Sequence, residues 1–251
     1  MDIREDWFYM PIKVGRWGDV TVRRMHDQKI FPEGKQSVFI GDSNSDLWMA
    51  NDERYDRGFQ GLRSQYYNAS GRVLLGGLGL GLLTLIVAEK PDVREVVVVE
   101  LNPNVISAFR ANGWNESKIT IVNASIKEYT DTQGFDWILL DHVNQEGSLQ
   151  LYHRYLVHIK KIIANVGMPR VAFDYFTWEE LYTFWLFENK REDTHEAFKE
   201  FSAPLHMRPY SPLEMQGYLD FYKKEVSGEP TIIDPLITKA IQSAYHQRKP
   251  K

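Results

Sequence analysis

Gly71-Arg-Val-Leu-Leu-Gly-Gly-Leu-Gly-Leu-Gly-Leu-Leu-Thr-Leu-Ile-Val-Ala-Glu-Lys90 is the stretch whose reading decides the fold. Val73 to Leu75 reads as a buried strand, Gly76, Gly77, Gly79 and Gly81 as a tight turn, and the apolar run to about Lys90 as a helix. Glycine tolerates positive φ and lets a ligand approach the backbone closely. A helix starting at such a turn aims unpaired N–H groups and the positive end of its dipole at it. Glu95-Val-Val-Val-Val-Glu100 follows, a β-branched run of the kind that forms a parallel strand buried on both faces. It closes on a carboxylate 19 residues after Gly81.

A glycine turn, a helix and an acid at the end of the second strand form the pattern of a nucleoside-binding βαβ unit, in which the acid accepts hydrogen bonds from a ribose. The dinucleotide fingerprint Gly-x-Gly-x-x-Gly fails here, because its third position is Leu82; what stands is Gly77-x-Gly79-x-Gly81. That spacing disfavours NAD.

Downstream the rhythm is α/β. Pro103 to Gly113 reads as a helix with proline in its first turn and glycine at its end. Lys118–Val122 is a third strand, Ser125–Tyr129 a short helix and Phe135–Asp141 a fourth strand. Leu149–Ala164 is a long helix, Arg170–Asp174 a fifth strand, and about Trp178 to Asn189 another helix. Strands and helices alternating at this spacing imply a Rossmann-like, doubly wound and mostly parallel sheet with right-handed crossovers.

Ahead of this core, residues 1–16 read as an arm. Asp19–Arg23 and Gln36–Ile40 read as a two-stranded β-ribbon around the turn signal Pro32–Lys35. A lone ribbon is marginal, so it is expected to pair with more structure, a second subunit included. Asn51 to about Tyr67 reads as a helix, either simply capped and solvated or a lid with Tyr55 or Trp48 facing a substrate. Beyond Lys190 the chain is charged and then broken by Pro204, Pro209 and Pro212, with Tyr218–Tyr222 a candidate closing strand. The expected organisation is an N-terminal arm, ribbon and lid over 1–70, a core over 71–226, and a helical tail over 227–251.

Composition sets broad bounds. Hydrophobic residues at 43% and charged residues at 25% are ordinary for a globular chain. Net charge −4 gives no overall pull toward nucleic acid or an anionic membrane. The absence of cysteine removes disulfides, Cys-zinc sites and thiol nucleophiles. No segment reads as a signal peptide or membrane span, so a cytoplasmic protein is the expectation. Aromatics at 13%, with seven Trp, exceed what a core needs and are candidates for a pocket wall.

Val73-Leu-Leu-Gly-Gly-Leu-Gly-Leu-Gly81, Val97-Val-Val-Glu-Leu-Asn-Pro-Asn-Val-Ile106 and Phe135-Asp-Trp-Ile-Leu-Leu-Asp141 resemble the core of the class I S-adenosylmethionine (SAM)-dependent methyltransferase-like superfamily. Within it they look most like the spermidine-synthase branch, which also carries a small N-terminal β domain. The resemblance implies SAM, or decarboxylated SAM, as cofactor and a transferase activity on a small molecule. It places Gly76, Gly77, Gly79 and Gly81 against the cofactor, Glu100 on the ribose hydroxyls, and Leu101 and Ile126 about the adenine.

Three positions depart from that branch. Gly79 stands where its glycine turn carries an aspartate for the amine-bearing arm. Ala124 stands where an aspartate binds the adenine amine, leaving Asn123 or Ser125 as substitutes. After the fourth strand Asp141-His-Val-Asn-Gln-Glu146 keeps only the first acid. The departures weigh toward methyl transfer over aminopropyl transfer, and a binder that has lost catalysis stays open beside both.

Ligands of parallel α/β sheets sit at the carboxyl ends of the strands. Asp141 and His142 are therefore the catalytic candidates: Asp141 to orient an amine or hydroxyl and to line the cofactor site, His142 as a base titrating near neutrality. Asp174 and Tyr175, with Phe176 and Trp178, are candidates for a substrate wall, as is Tyr55 on the lid. The other histidines show no metal-ligand spacing with carboxylates.

Overall fold

A computed structural model describes residues 12–25, 37–42, 47–51, 69–114, 116–142, 149–175 and 178–207. Four strands come first: β1 Gly15–Trp17, β2 Val20–Met25, β3 Ser37–Asp42 and β4 Leu47–Asn51. They form one antiparallel sheet in the order β1-β2-β3-β4. The expected two-strand ribbon is thus its central pair, and the chain itself supplies the outer strands. Asn51 ends β4 rather than opening a helix. The rest of the expected lid, Tyr55 included, lies outside the described residues.

The second sheet is built of β5 Gly71–Gly76, β6 Val93–Glu100, β7 Ile119–Asn123, β8 Trp137–Leu140 and β9 Ala172–Tyr175. All its pairings are parallel, in the order β7-β6-β5-β8-β9. The chain steps outward from β5 to β7, then returns to the other side of β5 with β8. That reversal is the Rossmann-like arrangement, and it opens a crevice at the carboxyl ends of β5 and β8.

Helices α1 Leu82–Glu89, α2 Pro103–Arg110, α3 Leu149–Val166, α4 Trp178–Glu188 and α5 His195–Ser202 complete the described chain. Side chains alternate across each strand, so the sheet divides two cores. Val73, Leu75, Val96, Val98 and Leu139 pack with Leu85 and Ile86 of α1, Phe109 of α2, and Val20, Val22 and Ile40 of the N-terminal sheet. Leu74, Val97, Val99, Ile138 and Leu140 pack with Tyr155 and Ile159 of α3, Tyr182 of α4 and Phe201 of α5. The seemingly excessive aromatics are largely spent here: Tyr175, Tyr182, Phe173 and Phe201 are among the largest fully buried side chains.

The opposite, amino-terminal edge of the parallel sheet is tied by charge. Arg72 donates two hydrogen bonds to Asp131, at 2.8 and 2.9 Å, and one to Glu95 at 2.6 Å. Its guanidinium also lies 4.2 Å from the Phe135 ring centre. Hydrogen bonds from Arg72 hold the Asp131 carboxyl down at about 2. The N-terminal sheet is fixed to α2 by Asn104 Nδ2 donating to Asp19 at 2.6 Å and Lys13 N donating to Asn112 at 2.6 Å. No helix among the described residues is long and apolar enough to cross a membrane.

Ser125–Tyr129, expected as a helix, is one turn: the amides of Glu128 and Tyr129 both donate to Ser125 O, and the pattern stops there. Residues 190–194 separate α4 from the charged helix α5, whose N-cap Thr194 accepts from Ala197 N. Residues 208–251, including the candidate closing strand and the tail, lie outside the described residues.

Candidate functional site

Parallel register aligns the carboxyl edge of the sheet. Glu100 pairs with Asn123, Gly76 with Val99 and Leu140, and Leu140 with Tyr175. The glycine turn rises from this edge. Gly77 has φ 98° and Gly81 φ 86°, both in the region L residues avoid. A Cβ on Gly77 would strike the carbonyl oxygen of Asp141, and one on Gly81 the ring of Phe109. The turn is therefore pressed against the end of β8 on one side and α2 on the other.

Glu100 braces the turn. Its Oε2 accepts from Leu78 N at 2.9 Å and its Oε1 from Asn102 N at 2.8 Å. Each carboxylate oxygen keeps a further lone pair. Asn102 in turn caps α2, accepting from Asn104 N at 2.8 Å. Asn123 donates both amide hydrogens to backbone, to Glu100 O and Leu101 O at 2.9 Å each. That leaves its side-chain oxygen as the atom able to meet a ligand. Leu101 is 71% exposed at the rim, whereas Ile126 is buried beside Gly76. Ser125 stands at the same edge, its carbonyl closing the turn after β7.

The first turn of α1 holds no acidic residue, and its N-cap Gly81 offers no side-chain hydrogen bond. Its amides and dipole consequently face the glycine turn without an internal anion. Gly79 sits within this cradle.

Asp141 and His142 follow β8 directly. Asp141 N donates to Gly76 O at 2.8 Å, locking the two strand ends together. Burial pushes the Asp141 carboxyl up to about 7, and the negative charge of Glu100 adds to the rise. His142 turns its ring toward α3: Nε2 lies 2.9 Å from Nδ1 of His158, and the ring meets Tyr155 edge-on at 5.7 Å. Burial, then the positive field of His158 and Lys127, lowers His142 to about 3, far from the near-neutral base expected of it.

The substrate-wall residues are placed differently from expectation. Asp174 is not the strand end: it pairs with Leu139 one step inside the edge, is only 1% exposed, and accepts from Tyr175 N at 2.8 Å. Tyr175 is fully buried, donates its hydroxyl to Leu205 O at 2.7 Å and packs on Tyr155 at 5.0 Å. Trp178 is core as well. These rings fill the second core rather than line an open wall; Phe176 lies outside the described residues. The structure thus gathers Gly76, Gly77, Gly79, Gly81, Glu100, Leu101, Asn123, Ser125, Ile126, Asp141 and His142 at one edge, and leaves Asp174 and Tyr175 beneath it. It also brings in Leu78, through its amide, and His158.

No family model and no curated protein matches the chain. Solved structures do. The Trypanosoma brucei PRMT1 enzyme–prozyme heterotetrameric complex with AdoHcy is 22% identical over 48% of this chain and 39% of that one, with a TM-score of 0.39. Spermidine synthase from Thermotoga maritima is 15% identical over 69% of this chain and 61% of that one, with a TM-score of 0.44. The N-methyltransferase NodS from Bradyrhizobium japonicum, with S-adenosyl-L-homocysteine, is 19% identical over 45% of this chain and 56% of that one, with a TM-score of 0.35. The chain therefore spans less than two thirds of the length of each.

Proposed function

We propose that this chain is a SAM-dependent transferase, most simply a methyltransferase acting on a small molecule. The observation that carries the reading is convergence: the glycine turn, the Glu100 carboxylate and Asp141 meet where the strand order reverses. The free lone pairs of Glu100 take the ribose hydroxyls. Leu101 covers one face of the adenine, Ile126 backs the other, and the Asn123 oxygen accepts from the adenine amine. The uncapped start of α1 suits the carboxylate of the methionine tail. Decarboxylated SAM presents only an ammonium there, which the helix dipole repels, so methyl transfer is favoured over aminopropyl transfer.

SAM supplies an electrophilic methyl group on a sulfonium. The protein's share is positioning, exclusion of water and removal of the acceptor's proton. Asp141 lies beside the glycine turn, where a nearby cation draws off its proton and leaves a counter-ion.

The test is parallel calorimetric titration with SAM, S-adenosylhomocysteine, decarboxylated SAM and NAD. SAM and its demethylated product are expected to bind, decarboxylated SAM more weakly and NAD not at all. Glu100→Ala is expected to abolish binding, since it strips both the ribose acceptor and the brace on Leu78. Preference for decarboxylated SAM would turn the reading to aminopropyl transfer, and binding of none would end it.

A further inference from the structure

The pair His142–His158 is not accounted for by binding a nucleoside. His142 Nε2 and His158 Nδ1 are 2.9 Å apart, a hydrogen bond that needs one hydrogen between two ring nitrogens. His142 Nδ1 is buried and has no partner among the described residues. It lies next to the glycine turn: a Cβ on Gly76 would sit 3.5 Å from it, 3.3 Å from Ile126 and 3.0 Å from Leu140. The missing Cβ leaves a niche, and His142 Nδ1 is the polar atom bordering it. His158, one turn along α3 from the buried Tyr155, is half-buried rather than sealed in.

The charged surroundings keep both rings neutral. Burial and the cations Lys127, Lys161 and Arg154 lower His158, and burial, His158 and Lys127 lower His142. Tyr155 stands edge-on to His142 and stays protonated, burial raising its pKa well beyond the usual range. Asp141 is the adjoining acid. A neutral pair has two tautomeric arrangements. If His158 donates, His142 Nδ1 carries a hydrogen buried without an acceptor. If His142 donates, Nδ1 is a bare lone pair. Unmet acceptors are better tolerated in interiors than unmet donors.

We infer that His158 is a positioning residue that holds His142 as the Nε2–H tautomer, so that Nδ1 is the proton-accepting atom of the site. This rests on the transferase reading for its use, though not for its geometry. When an acceptor N–H or O–H gives up its proton as the methyl–sulfur bond breaks and the methyl–acceptor bond forms, Nδ1 of His142 takes that proton. Nε2–H passes its hydrogen to Nδ1 of His158, and Nε2–H of His158 releases one to water. One proton enters, one leaves, and no ring stays charged. A base held near pKa 3 does not retain a proton, but it can pass one on.

The experiment is nitrogen-15 NMR of the histidine side chains in the full chain, wild type, His158→Asn and His158→Phe, from pH 5 to 9, with and without S-adenosylhomocysteine. Asparagine keeps an acceptor where Nδ1 of His158 stood; phenylalanine keeps only the ring. The expected result is a neutral His142 protonated on Nε2 throughout the range. That signature is lost in His158→Phe and restored in His158→Asn, and a merely space-filling role for His158 would not give this order. A hydrogen on Nδ1 of His142, an unchanged tautomer in His158→Phe, or titration of His142 near the ordinary histidine value would overturn the inference. These outcomes are read without ligand. Failure of S-adenosylhomocysteine to shift any signal would instead count against the transferase reading.

Discussion

Asp141→Asn is expected to stabilise the protein, and by more at alkaline pH than at acid. The folded state raises the carboxyl from the usual 3.8 to about 7, because ionising it there means placing a charge among desolvating neighbours beside Glu100. The sign follows. Below 3.8 the carboxyl is neutral in both folded and unfolded chains and has no effect. Between 3.8 and 7 the unfolded chain ionises and the folded one does not, so stability falls as pH rises. Above 7 both are ionised and the full penalty stands. A tenfold change in proton affinity is about 1.4 kcal/mol, so wild type is penalised by about 1.5 kcal/mol at pH 5 and about 4 kcal/mol at pH 8.5. Asparagine does not titrate, so any constant effect of the amide cancels when its gain at the two pH values is compared. The gain should grow by 2 to 3 kcal/mol on that arithmetic, trimmed to about 2 kcal/mol because Asp141 retains some solvent contact. Urea unfolding of both proteins at pH 5 and pH 8.5, without ligand, measures it. An equal gain at both, or a larger one at pH 5, would refute the reasoning and show a well-solvated carboxyl. The same titration predicts that SAM affinity of the wild type rises from pH 6 to 8, as its cation meets an increasingly ionised Asp141, while the asparagine variant stays flat.

Gly81→Ala should destabilise by about 2 kcal/mol or more, since alanine must hold positive φ and its Cβ meets the Phe109 ring; a melting temperature equal to wild type would show that the turn relaxes freely. Gly77→Ala, aimed at the Asp141 carbonyl, should instead separate the turn from β8 and weaken SAM binding tenfold or more, measured by calorimetry. Asp131→Asn should cost about 2 kcal/mol at pH 7. The Asp131 carboxyl is depressed to about 2 by Arg72, so its stabilisation is present above 3.8 and lost as pH falls toward 2. Acid denaturation curves of variant and wild type should accordingly converge at low pH, and parallel curves would argue against the pairing.

The centre of the fold was legible because its signals are local. Val73–Leu75 and Glu95–Glu100 are continuous apolar runs bounded by glycine or charge, and each became a strand within two residues of the expected limits. Gly15–Trp17 and Leu47–Asn51 were not legible as strands. One has three residues and the other ends in asparagine, and both gain their order by pairing across the sheet. Glu100 could be read as a ligand acid from its place in sequence; that it also braces Leu78 is a long-range bond with no local mark. Asp174 was read one position too far along because the run Arg170–Asp174 stops at a charge, whereas the ladder continues to Tyr175. His142 looked like an ordinary near-neutral base, and only packing against α3 reveals its partner. A single pointer existed: His158 lies one position from Ile159 and three from Tyr155 on the helix face that turned out to be buried.

The bonds that shape the glycine turn come from segments far apart in sequence. Asp19 holds Asn104, Asn104 N reaches Asn102, Asn102 N reaches Glu100, and Glu100 holds Leu78, while Asp141 locks Gly76 from the other side. No short fragment contains this set, so the turn takes its final shape only when the antiparallel sheet, α2 and β8 are all in place. Its formation therefore belongs late in folding, and its loss early in unfolding from any of these quarters. A ligand lodged there would then tighten the whole assembly rather than its own neighbourhood. Hydrogen exchange can see this directly: slower exchange on ligand addition should extend to the amides of β2 and β3, and protection confined to the turn would show that the segments open independently.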